Sequence, residues 1–491
     1  MGIWCKLGDM DESITIGGIK IPRADWEKTP ESVKNVVRNQ EQRIAAIEER
    51  LGLNASNSSI PPSKQPAQAK EKKQEKGDRR KRGGQKGHKG FTRHLYEPSE
   101  CSEIIDHQPE TCKHCQTPLT GEDGQPYRHQ IVEIPPVAPV VTEHRLHALT
   151  CCCCGQTTRA FLPDDVNSGY GERLQSLVAL LSGAYRLSHN QVQTLMRDLW
   201  QVHLSTGTVN RIRQRVSQKL SQVVNEAKSY IMKSGTAYVD ETGWSQNNGD
   251  GNNPENASAW LWTAVSNNVA VYQVTLNRAG SSADALLGKN YTGLVVSDRY
   301  SVYNAFTVEQ RQLCWAHLKR DFKRMAERSG ASKEIGEALL KQTKRLFHWW
   351  HRVRDGTLST ELFQAAMARL RQSVHHLLSE AASLCHSSRE QTPLAKTART
   401  CQQILKLEPA LWKFVEVNAV EPTNNTAERA LRTAVIWRDL SYGSWSRSGS
   451  EFVERLLTVV MSLRLQERPV LEFLIQVLHS EPVSLLPLPP E

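Results

Sequence analysis

Hydrophobic and polar positions change their period several times along the chain, and each change predicts a different element. Apolar residues recur at helical spacing between 171 and 216 and again between 332 and 417. Between these stretches, apolar runs at 236–240, 257–265, 269–276 and 293–298 predict β-strands, with short helices after the third and fourth. The chain should therefore hold a mixed α/β core, interrupted by a helical segment and completed by helices at 452–465 and 470–478, which break at Pro469.

Two of the predicted helices have a serine at the position that caps a helix. Ser188 precedes a helix with an apolar face, Ser205 precedes a second, and residues 201–204 form the turn between them. The spacing is similar to that of a helix-turn-helix, so Arg211 and Arg215 on the second helix are candidate DNA contacts. A helical hairpin that only packs the core is the alternative.

The first part of the chain combines a short amphipathic pattern with a basic, glycine-rich segment. Residues 32–52 predict either a short coiled coil or a docking helix. Residues 54–93 have linker composition, and Lys70 to Gly90 carries ten Lys/Arg against three Asp/Glu. A basic arm of this kind attracts phosphates, and its candidate DNA contacts are Lys81, Arg82, Lys86 and Lys89. A solvated linker is the other interpretation of this charge run.

Composition narrows the class of protein. The chain has 491 residues, 39% of them hydrophobic, which is enough for three or more packed modules. No apolar run is long enough to span a membrane, and the N-terminus lacks the features of a secretory signal. Eleven cysteines without such a signal favour metal binding over disulfides, so we expect a cytoplasmic protein. The net charge of +10 favours nucleic acid as a partner.

Two C-x-x-C pairs indicate a structural zinc site. Their sulfurs belong to Cys112 and Cys115 in the first pair, and to Cys151 and Cys154 in the second. Zinc prefers four thiolates in tetrahedral arrangement, and each pair can direct two sulfurs at one ion. The runs 127–134 and 140–149 between the pairs read as β-rich, so we expect a zinc ribbon, with unmetallated cysteines as the alternative. Cys152 and Cys153 then read as packing residues, and His114 is a possible substitute ligand.

Three acidic residues stand in settings that suit metal-dependent phosphoryl transfer. Asp240 and Asp298 each end an apolar strand, and Glu428 lies in the first turn of a predicted helix. Hard cations prefer oxygen ligands, and two Mg²⁺ or Mn²⁺ ions about 4 Å apart can stabilise both the attacking and the leaving oxygen of a displacement. Glu241 should point away from this site because strand side chains alternate, and Asp321, among basic residues, should form surface pairs.

Four sequence motifs carry a family resemblance over most of the chain. They are VDET at 239–242, SDRYSVY at 297–303, CWAHLKRDF at 314–322 and NNTAERALR at 424–432. Together they resemble the bacterial DDE transposases of the insertion-sequence-sixty-six family, and the fourth is the most specific. The resemblance implies an RNase-H-like catalytic core with a helical insertion, magnesium dependence, and cleavage and transfer of DNA strands. It also implies a bacterial, nucleoid-associated protein with the zinc module in the position found here.

The resemblance assigns roles to further residues and to partners. Asp240 would bridge both ions, while Asp298 and Glu428 would each hold one. Arg447, in the glycine- and serine-rich stretch that matches the family, is a candidate phosphate contact. From their positions alone, Arg429 and Arg432 beside Glu428 are further candidate phosphate contacts, with solvation of that helix as the alternative. Trp244, Trp260 and Trp445 are candidates for stacking on flipped bases, although tryptophans of this kind are more often core. The expected partner is double-stranded DNA, both terminal inverted repeats and target, bound by a homo-oligomer, with small accessory proteins of the same element as further partners and no membrane.

The domain boundaries follow from these patterns. We predict an N-terminal region at 1–53, a basic linker at 54–98, a zinc ribbon at 99–165, a helical DNA-binding region at 166–233, a catalytic core at 234–331 and 419–480 around an insertion at 332–418, and a disordered tail at 481–491. Two alternatives to an active transposase stay open. One is a catalytically silent DNA-binding regulator on the same scaffold, and the other is a nuclease for RNA–DNA hybrids. Cys314-x-x-His317 has no second metal-binding pair nearby in sequence, which favours a structural role, with a place of His317 close to Asp298 and DNA as the alternative.

Overall fold

The computed structural model describes residues 13–16, 19–37, 39–40, 93–163, 166, 168–384, 390 and 392–487. Contacts divide the chain into two compact units, Lys72–Val140 and the remainder. Near the N-terminus, β1 (Ser13–Ile16) and β2 (Ile19–Pro22) form an antiparallel hairpin that leads into α1 (Arg23–Lys28). Residues 31–37 and 39–40 are helical, and the rest of the predicted 32–52 helix lies outside the described residues.

The region of the cysteine pairs has less β-structure than the sequence predicts. Residues 119–147 contain no strand, although 127–134 and 140–149 read as β-rich. The strands instead flank the second pair directly, as β3 (Ala148–Thr150) and β4 (Thr157–Arg159). The prediction was wrong because the alternating apolar residues here are not buried. Tyr127, Ile131 and Val140 are exposed to 92%, 86% and 96%.

Four helices precede the sheet and confirm the predicted capped pair. They are α2 (Glu172–Ser182), α3 (His189–Trp200), α4 (Thr206–Lys219) and α5 (Ser221–Lys233). The Ser188 side chain accepts from the Gln191 N–H, and the Ser205 side chain accepts from the Thr208 N–H, so each serine satisfies a donor that the helix cannot.

A five-stranded sheet forms the centre of the larger unit. Its strands are β5 (Thr236–Trp244), β6 (Ala259–Val265), β7 (Ala270–Thr275), β8 (Leu294–Ser297) and β9 (Arg311–Leu313), with α6 (Gly280–Leu287) between β7 and β8. The order across the sheet is β7-β6-β5-β8-β9; β6 runs antiparallel to its neighbours, and β8 and β9 run parallel to β5. The mixed α/β class predicted from the sequence is confirmed.

Helices follow the sheet in two groups. The first group contains α7 (Trp315–Ala326), α8 (Ala331–Arg354), α9 (Thr360–Ser383), α10 (Pro393–Leu405) and α11 (Lys413–Glu416). The second contains α12 (Asn425–Ser441), α13 (Arg447–Leu465) and α14 (Val470–Leu478), and α13 begins five residues before its predicted start. Most apolar residues of the predicted helical segment at 332–417 are buried or half-buried, but Leu362 is 61% exposed because it lies in the first turn of α9 on the outer side.

Helix α13 covers the outer edge of the sheet in a specific way. The N–H groups of Ala270, Tyr272 and Val274 on β7 donate to side chains of α13, at 3.0, 3.1 and 2.8 Å. The acceptors are Ser462, Thr458 and Glu454, spaced four residues apart on one helix face. Two strand residues span nearly the same length as one helical turn, so the ladders match. Donors that would otherwise pair with another strand are thereby satisfied.

The predicted disordered tail at 481–491 is corrected for its described part, residues 481–487. Leu485 is fully buried, and its N–H donates to the Glu226 side chain at 3.2 Å. Arg468 donates to the backbone oxygens of Ser484 and Leu486. A proline-rich composition suggested disorder, but proline does not prevent an extended segment from packing when side chains bind its backbone. In the described part of the chain, every helix is too short or too polar to cross a membrane.

Candidate active site

The register of two parallel strands brings Asp240 and Asp298 side by side. Tyr238 on β5 pairs with Val296 on β8, and each aspartate lies two residues further along its strand direction. Because side chains alternate along a strand, residues two positions beyond a matched pair share one face of the sheet. Both carboxylates therefore lie on the same face of neighbouring strands. Asp298 directly follows β8, as predicted, but Asp240 lies in the middle of β5, which continues to Trp244, so the prediction that Asp240 ends its strand is wrong.

Glu428 reaches this end of the sheet through the segment before α12. The Glu421 N–H donates to the Tyr238 hydroxyl at 3.1 Å, and the Asn424 side-chain amide donates to the Val239 carbonyl at 2.8 Å. Asn424 thus binds the residue directly before Asp240. Glu428 lies one helical turn further on, and its N–H donates to the Asn424 carbonyl at 3.0 Å. Two contacts to β5 therefore fix the first turn of α12.

Burial and nearby negative charges both raise the pKa of Asp240. Burial raises the pKa of Asp240 well above its usual range, and the negative charges of Glu241, Asp298 and Glu428 raise it further. Like charges shift a pKa in this way only when they are close together in a poorly solvated site. Asp240 therefore shares one electrostatic environment with Asp298 and Glu428, and also with Glu241 on the other face of the strand.

Glu241 belongs to the opposite side of the strand. Its carboxylate accepts hydrogen bonds from Arg278 Nε at 3.0 Å and from the Tyr303 hydroxyl at 2.5 Å, and its side chain is only 2% exposed. The Arg278 guanidinium in turn stacks over the rings of Trp260 and Tyr300. Glu241 is thus held in an internal ion pair, as the alternation of strand side chains predicts.

The loop after β8 is braced by two arginines. Asp298 Oδ1 accepts the Tyr300 N–H at 2.8 Å, and the fully buried Arg311 donates to the Asp298 carbonyl at 3.2 Å. Arg299 forms an ion pair with Asp321 at 2.6 Å, and both side chains are more than 80% buried. The prediction of surface pairs for Asp321 is confirmed for the exposed Arg324, 3.5 Å away. The shorter pair with Arg299 was not predicted, because α7 turns Asp321 toward the loop that carries Asp298.

Cys314 and His317 meet Glu428, which sequence spacing did not reveal. One ligand atom from each of the three residues lies within 4.8 Å of the others, and His317 Nδ1 is 3.6 Å from Glu428 Oε1. Burial raises the pKa of Cys314 to about 11 and lowers that of His317, so at neutral pH the thiol is protonated and the imidazole neutral. The motif looked incomplete because its third member lies 111 residues after His317 in the chain.

Unpartnered atoms at this point fit a divalent cation. His317 Nδ1 and Glu428 Oε1 are buried, and neither has a hydrogen-bond partner among the described residues. Buried polar atoms without partners are uncommon in folded proteins and suggest a missing ion or water. Clustered carboxylates beside a neutral imidazole suit Mg²⁺ or Mn²⁺, whereas a protonated Cys314, which already accepts the Asn424 N–H at 3.1 Å, is a poor ligand.

The two cysteine pairs adopt the same backbone turn, each within its own part of the chain. The Cys112 N–H donates to the Thr117 carbonyl and the Gln116 N–H to the Cys112 carbonyl, both at 2.9 Å. The Cys151 N–H donates to the Gln156 carbonyl at 2.8 Å, and the Gly155 N–H to the Cys151 carbonyl at 2.9 Å. Gln116 and Gly155 both have left-handed φ angles, of 62° and 69°. This shared turn presents two sulfurs together.

Hydrogen bonds at both turns favour the thiolate form. The Thr117 side chain lowers the pKa of Cys115, and the backbone N–H of Cys154 lowers the pKa of Cys151. Thiolates are the form that binds zinc. Cys152 and Cys153 are exposed and lie between the two sulfurs of their turn, so the structure gives them no buried packing role.

The predicted DNA contacts divide into three groups. Arg211, Arg429 and Arg432 are exposed, and Arg215 is half-buried. Arg447 instead binds inside the protein, where it donates to Glu454 at 2.7 Å and to the Val274 carbonyl at 3.1 Å. Its side chain is 33% exposed in the first turn of α13, so a contact with DNA phosphate stays a prediction and would compete with these internal bonds. The remaining candidates, Lys81, Arg82, Lys86 and Lys89, lie outside the described residues.

Comparisons with known families agree with these features. Residues 167–451, more than half of the chain, match the family described as transposase IS66 family, and residues 109–155 match the zinc-finger binding domain of transposase IS66. Residues 21–94 match a family of unknown function. No curated protein matches the chain. The two IS66 matches include the cysteine pairs, the sheet and the cluster of Asp240, Asp298 and Glu428, and the chain therefore belongs to the IS66 family of transposases.

Proposed function

We propose that this transposase cleaves the ends of its element and joins the freed 3′-hydroxyl to target DNA, with Asp240, Asp298 and Glu428 as the catalytic metal ligands. The observation that carries the proposal is the convergence of these three acids, which lie far apart in sequence, at one end of the sheet. The sheet order, with β5 in the centre and β6 antiparallel beside it, supports an RNase-H-like core.

The chain's own residues perform the positioning in this mechanism. Asp240 and Asp298 are fixed by strand register, and Glu428 is fixed by the bonds of Asn424 to β5. Neutral His317 lies beside Glu428, with its Nδ1 atom 3.6 Å from Glu428 Oε1, and offers a nitrogen ligand to the ion. When bound, two divalent cations neutralise the three acids and stabilise charge on the attacking and leaving oxygens of the phosphodiester. The exposed Arg429 and Arg432 on the same helix are proposed to hold DNA phosphates.

The test is a cleavage and joining assay on duplexes that carry the element's own terminal repeats. We expect magnesium-dependent nicks that leave 3′-hydroxyl ends, followed by joined products when target DNA is added. Specific binding to the repeats without any nick under these conditions would contradict the proposal and favour the silent DNA-binding regulator. Cleavage confined to an RNA–DNA hybrid of the same sequence would instead favour a hybrid nuclease.

A structural zinc ion is proposed at Cys112, Cys115, Cys151 and Cys154, and its stoichiometry gives a direct prediction. Protein purified without chelator should contain about one zinc per chain by elemental analysis, with Zn–S distances near 2.3 Å. Cys115→Ala or Cys154→Ala should remove the metal. Cys153→Ala is the matched control, because this exposed residue lies in the same turn outside the C-x-x-C spacing. Full zinc content in the Cys154→Ala variant would refute the assignment.

The DNA-binding surface is proposed to include both the basic arm and α4. Removal of residues 70–89 should weaken binding to random and cognate duplexes alike and flatten the dependence of log K on log salt. Arg211→Ala should weaken binding to the terminal repeats by about 1–3 kcal/mol without loss of folded protein, because its side chain is exposed. Equal repeat affinity of Arg211→Ala and the parent protein would favour the plain helical hairpin.

A further inference from the structure

A groove of about 920 Å³ lies between α3, α4, the end of α12 and the start of α13, within the size range of ligand sites. Its lining contains four aromatic residues and three side-chain amides, namely Tyr185, Trp437, Trp445, Phe452, Gln191, Asn210 and Gln214. The charged or titratable groups in the lining are Arg186, Arg213 and His189, and none of the lining residues is an aspartate or glutamate. Stacking surfaces, amides and positive charge together suit a nucleotide.

Three helices begin at this groove, which adds to its positive potential. The lining includes first-turn or capping residues of α3, α4 and α13, namely Ser188, Gln191, Thr206, Gly207, Ser446, Ser448 and Gly449. All three helices have at least 12 residues. At the start of α13 the Ser448 N–H already donates to the Asp250 carboxylate at 3.2 Å. Among the described residues, the partial positive charge of the α3 and α4 N-termini is not offset in this way and favours phosphate.

Two arginines of the groove have unused donors. The Nε atoms of Arg186 and Arg213 are buried, and neither has a hydrogen-bond partner among the described residues. The Arg213 guanidinium contacts the His189 ring and stacks 4.2 Å from the centre of the Phe452 ring. Burial lowers the pKa of Arg213 to about 10, so it remains charged at neutral pH. Arg213 thus lies in this groove, whereas Arg211 on the same helix is exposed.

Trp445 combines an exposed ring with a fixed backbone. Its side chain is 74% exposed, yet its carbonyl accepts the Gly249 N–H at 2.9 Å. The neighbouring Ser444 exchanges backbone hydrogen bonds with Ser245 and Asn247, at 2.8 and 2.9 Å. A Cβ atom on Gly249 would lie 2.3 Å from the Trp445 ring, so this close approach requires glycine. The loop after α12 is thus joined to the loop after β5 and holds an aromatic ring toward solvent.

We propose that this groove binds an unpaired nucleotide of the DNA substrate, with the base stacked on Trp445 and the phosphate near Arg186 and the helix N-termini. The inference rests on the proposed function, since it needs DNA at the neighbouring acids. Trp437 follows Glu428 by nine residues on α12, a separation of roughly 14 Å at 1.5 Å per residue. A strand that enters the active site can therefore place a nucleotide in the groove a few positions away.

The test compares two duplexes that carry the element's terminal repeat, one fully paired and one with a single unpaired adenine near the cleavage site. Full-length protein should bind the second duplex roughly tenfold more tightly, since stacking of one base on an aromatic ring has this effect. Trp445→Ala should reduce the ratio to near one without change in the affinity for paired DNA, and Trp445→Phe should keep part of it. Tyr442→Ala is the matched control, because Tyr442 lies in the same loop, is 86% exposed and does not line the groove. It should keep the full ratio.

A second measurement tests stacking directly. With 2-aminopurine as the unpaired base, its fluorescence should fall on binding to the parent protein and to Tyr442→Ala, but not on binding to Trp445→Ala. A preference that survives Trp445→Ala, or no preference in a protein that cleaves paired repeats, would overturn the inference and leave the proposed function intact. In that case the groove would accommodate a protein segment. Absence of both DNA binding and cleavage would overturn the two together.

Discussion

The Asp298→Asn variant should lose DNA cleavage and strand transfer by at least about a thousandfold, while it binds the terminal repeats as tightly as the parent protein. A metal ligand contributes several kcal/mol to stabilisation of the transition state, and each 1.4 kcal/mol or so is a factor of ten in rate. The substitution keeps the local fold, because the amide oxygen of asparagine can still accept the Tyr300 N–H that Asp298 accepts at 2.8 Å. Single-turnover cleavage and equilibrium binding measure the two effects separately.

Asp439→Asn is the control for Asp298→Asn. Asp439 lies in the last turn of α12 and is 63% exposed, so its replacement removes the same charge away from the acid cluster and should leave cleavage unchanged. Loss of DNA binding together with cleavage in Asp298→Asn would mean that the variant is misfolded or that Asp298 orders the DNA-binding surface, and the proposed role would fail.

The same substitution should stabilise the metal-free protein above acidic pH. The pKa of Asp240 is raised in the fold, by burial and then by the charges of Glu241, Asp298 and Glu428. A carboxyl whose pKa is higher in the folded state binds more protons there, so stability is fully present below its unfolded pKa and falls as pH rises through the folded pKa. Asp298→Asn removes one of those charges, so its advantage in urea midpoint over the parent should appear as pH rises above about 4. An advantage confined to pH below 4 would contradict this account.

Whereas Asp298→Asn should stabilise the metal-free protein, Glu241→Ala should destabilise the larger unit by about 3 kcal/mol. Glu241 is 2% exposed and Arg278 is 31% exposed, so removal of the carboxylate leaves a partly buried guanidinium and the buried Tyr303 hydroxyl without their partner. The value lies at the low end for broken buried pairs because water can reach Arg278. Urea unfolding followed by circular dichroism measures the change.

Glu337→Ala is the control for Glu241→Ala. Glu337 is 59% exposed, and its ion pair with Lys333 is long, at 3.9 Å. Its loss should therefore change stability by less than about 0.5 kcal/mol. If Glu241→Ala unfolds at the same urea concentration as the parent but loses cleavage, Glu241 acts in the chemistry, and its assignment to an internal ion pair is wrong.

Strand pattern and flanking motifs predicted the core well because both depend on local order. Asp240 and Asp298 were recognised beside apolar runs, although β5 continues past Asp240, and alternation alone put Glu241 on the other face. The two serine caps were predicted equally well, since an N-cap needs only a hydroxyl side chain at the residue before the helix. Each of these features is complete within a few residues of sequence.

Features that depend on partners distant in sequence could not be predicted. His317 meets Glu428 only after α8 to α11 have been inserted between them, and Arg447 is occupied by Glu454 and β7 rather than by solvent. The apolar residues around Tyr127 alternate like a strand, but nothing in the described residues buries them. For Leu485 the error has the opposite sign: the proline-rich tail was predicted to be disordered, but the side chains of Glu226 and Arg468 bind its backbone.

The most direct test of the catalytic assignment is a metal titration of single-turnover cleavage on the terminal repeat, in the parent protein and in Glu428→Gln. Glu428 is the member of the cluster that comes from a helix outside the sheet, so its effect on metal dependence tests the convergence itself. We predict cleavage that is abolished by chelator, restored by Mg²⁺ or Mn²⁺, and lost or shifted to much higher metal concentration in Glu428→Gln. Cleavage that proceeds in chelator, or an unchanged metal dependence in Glu428→Gln, would contradict the account.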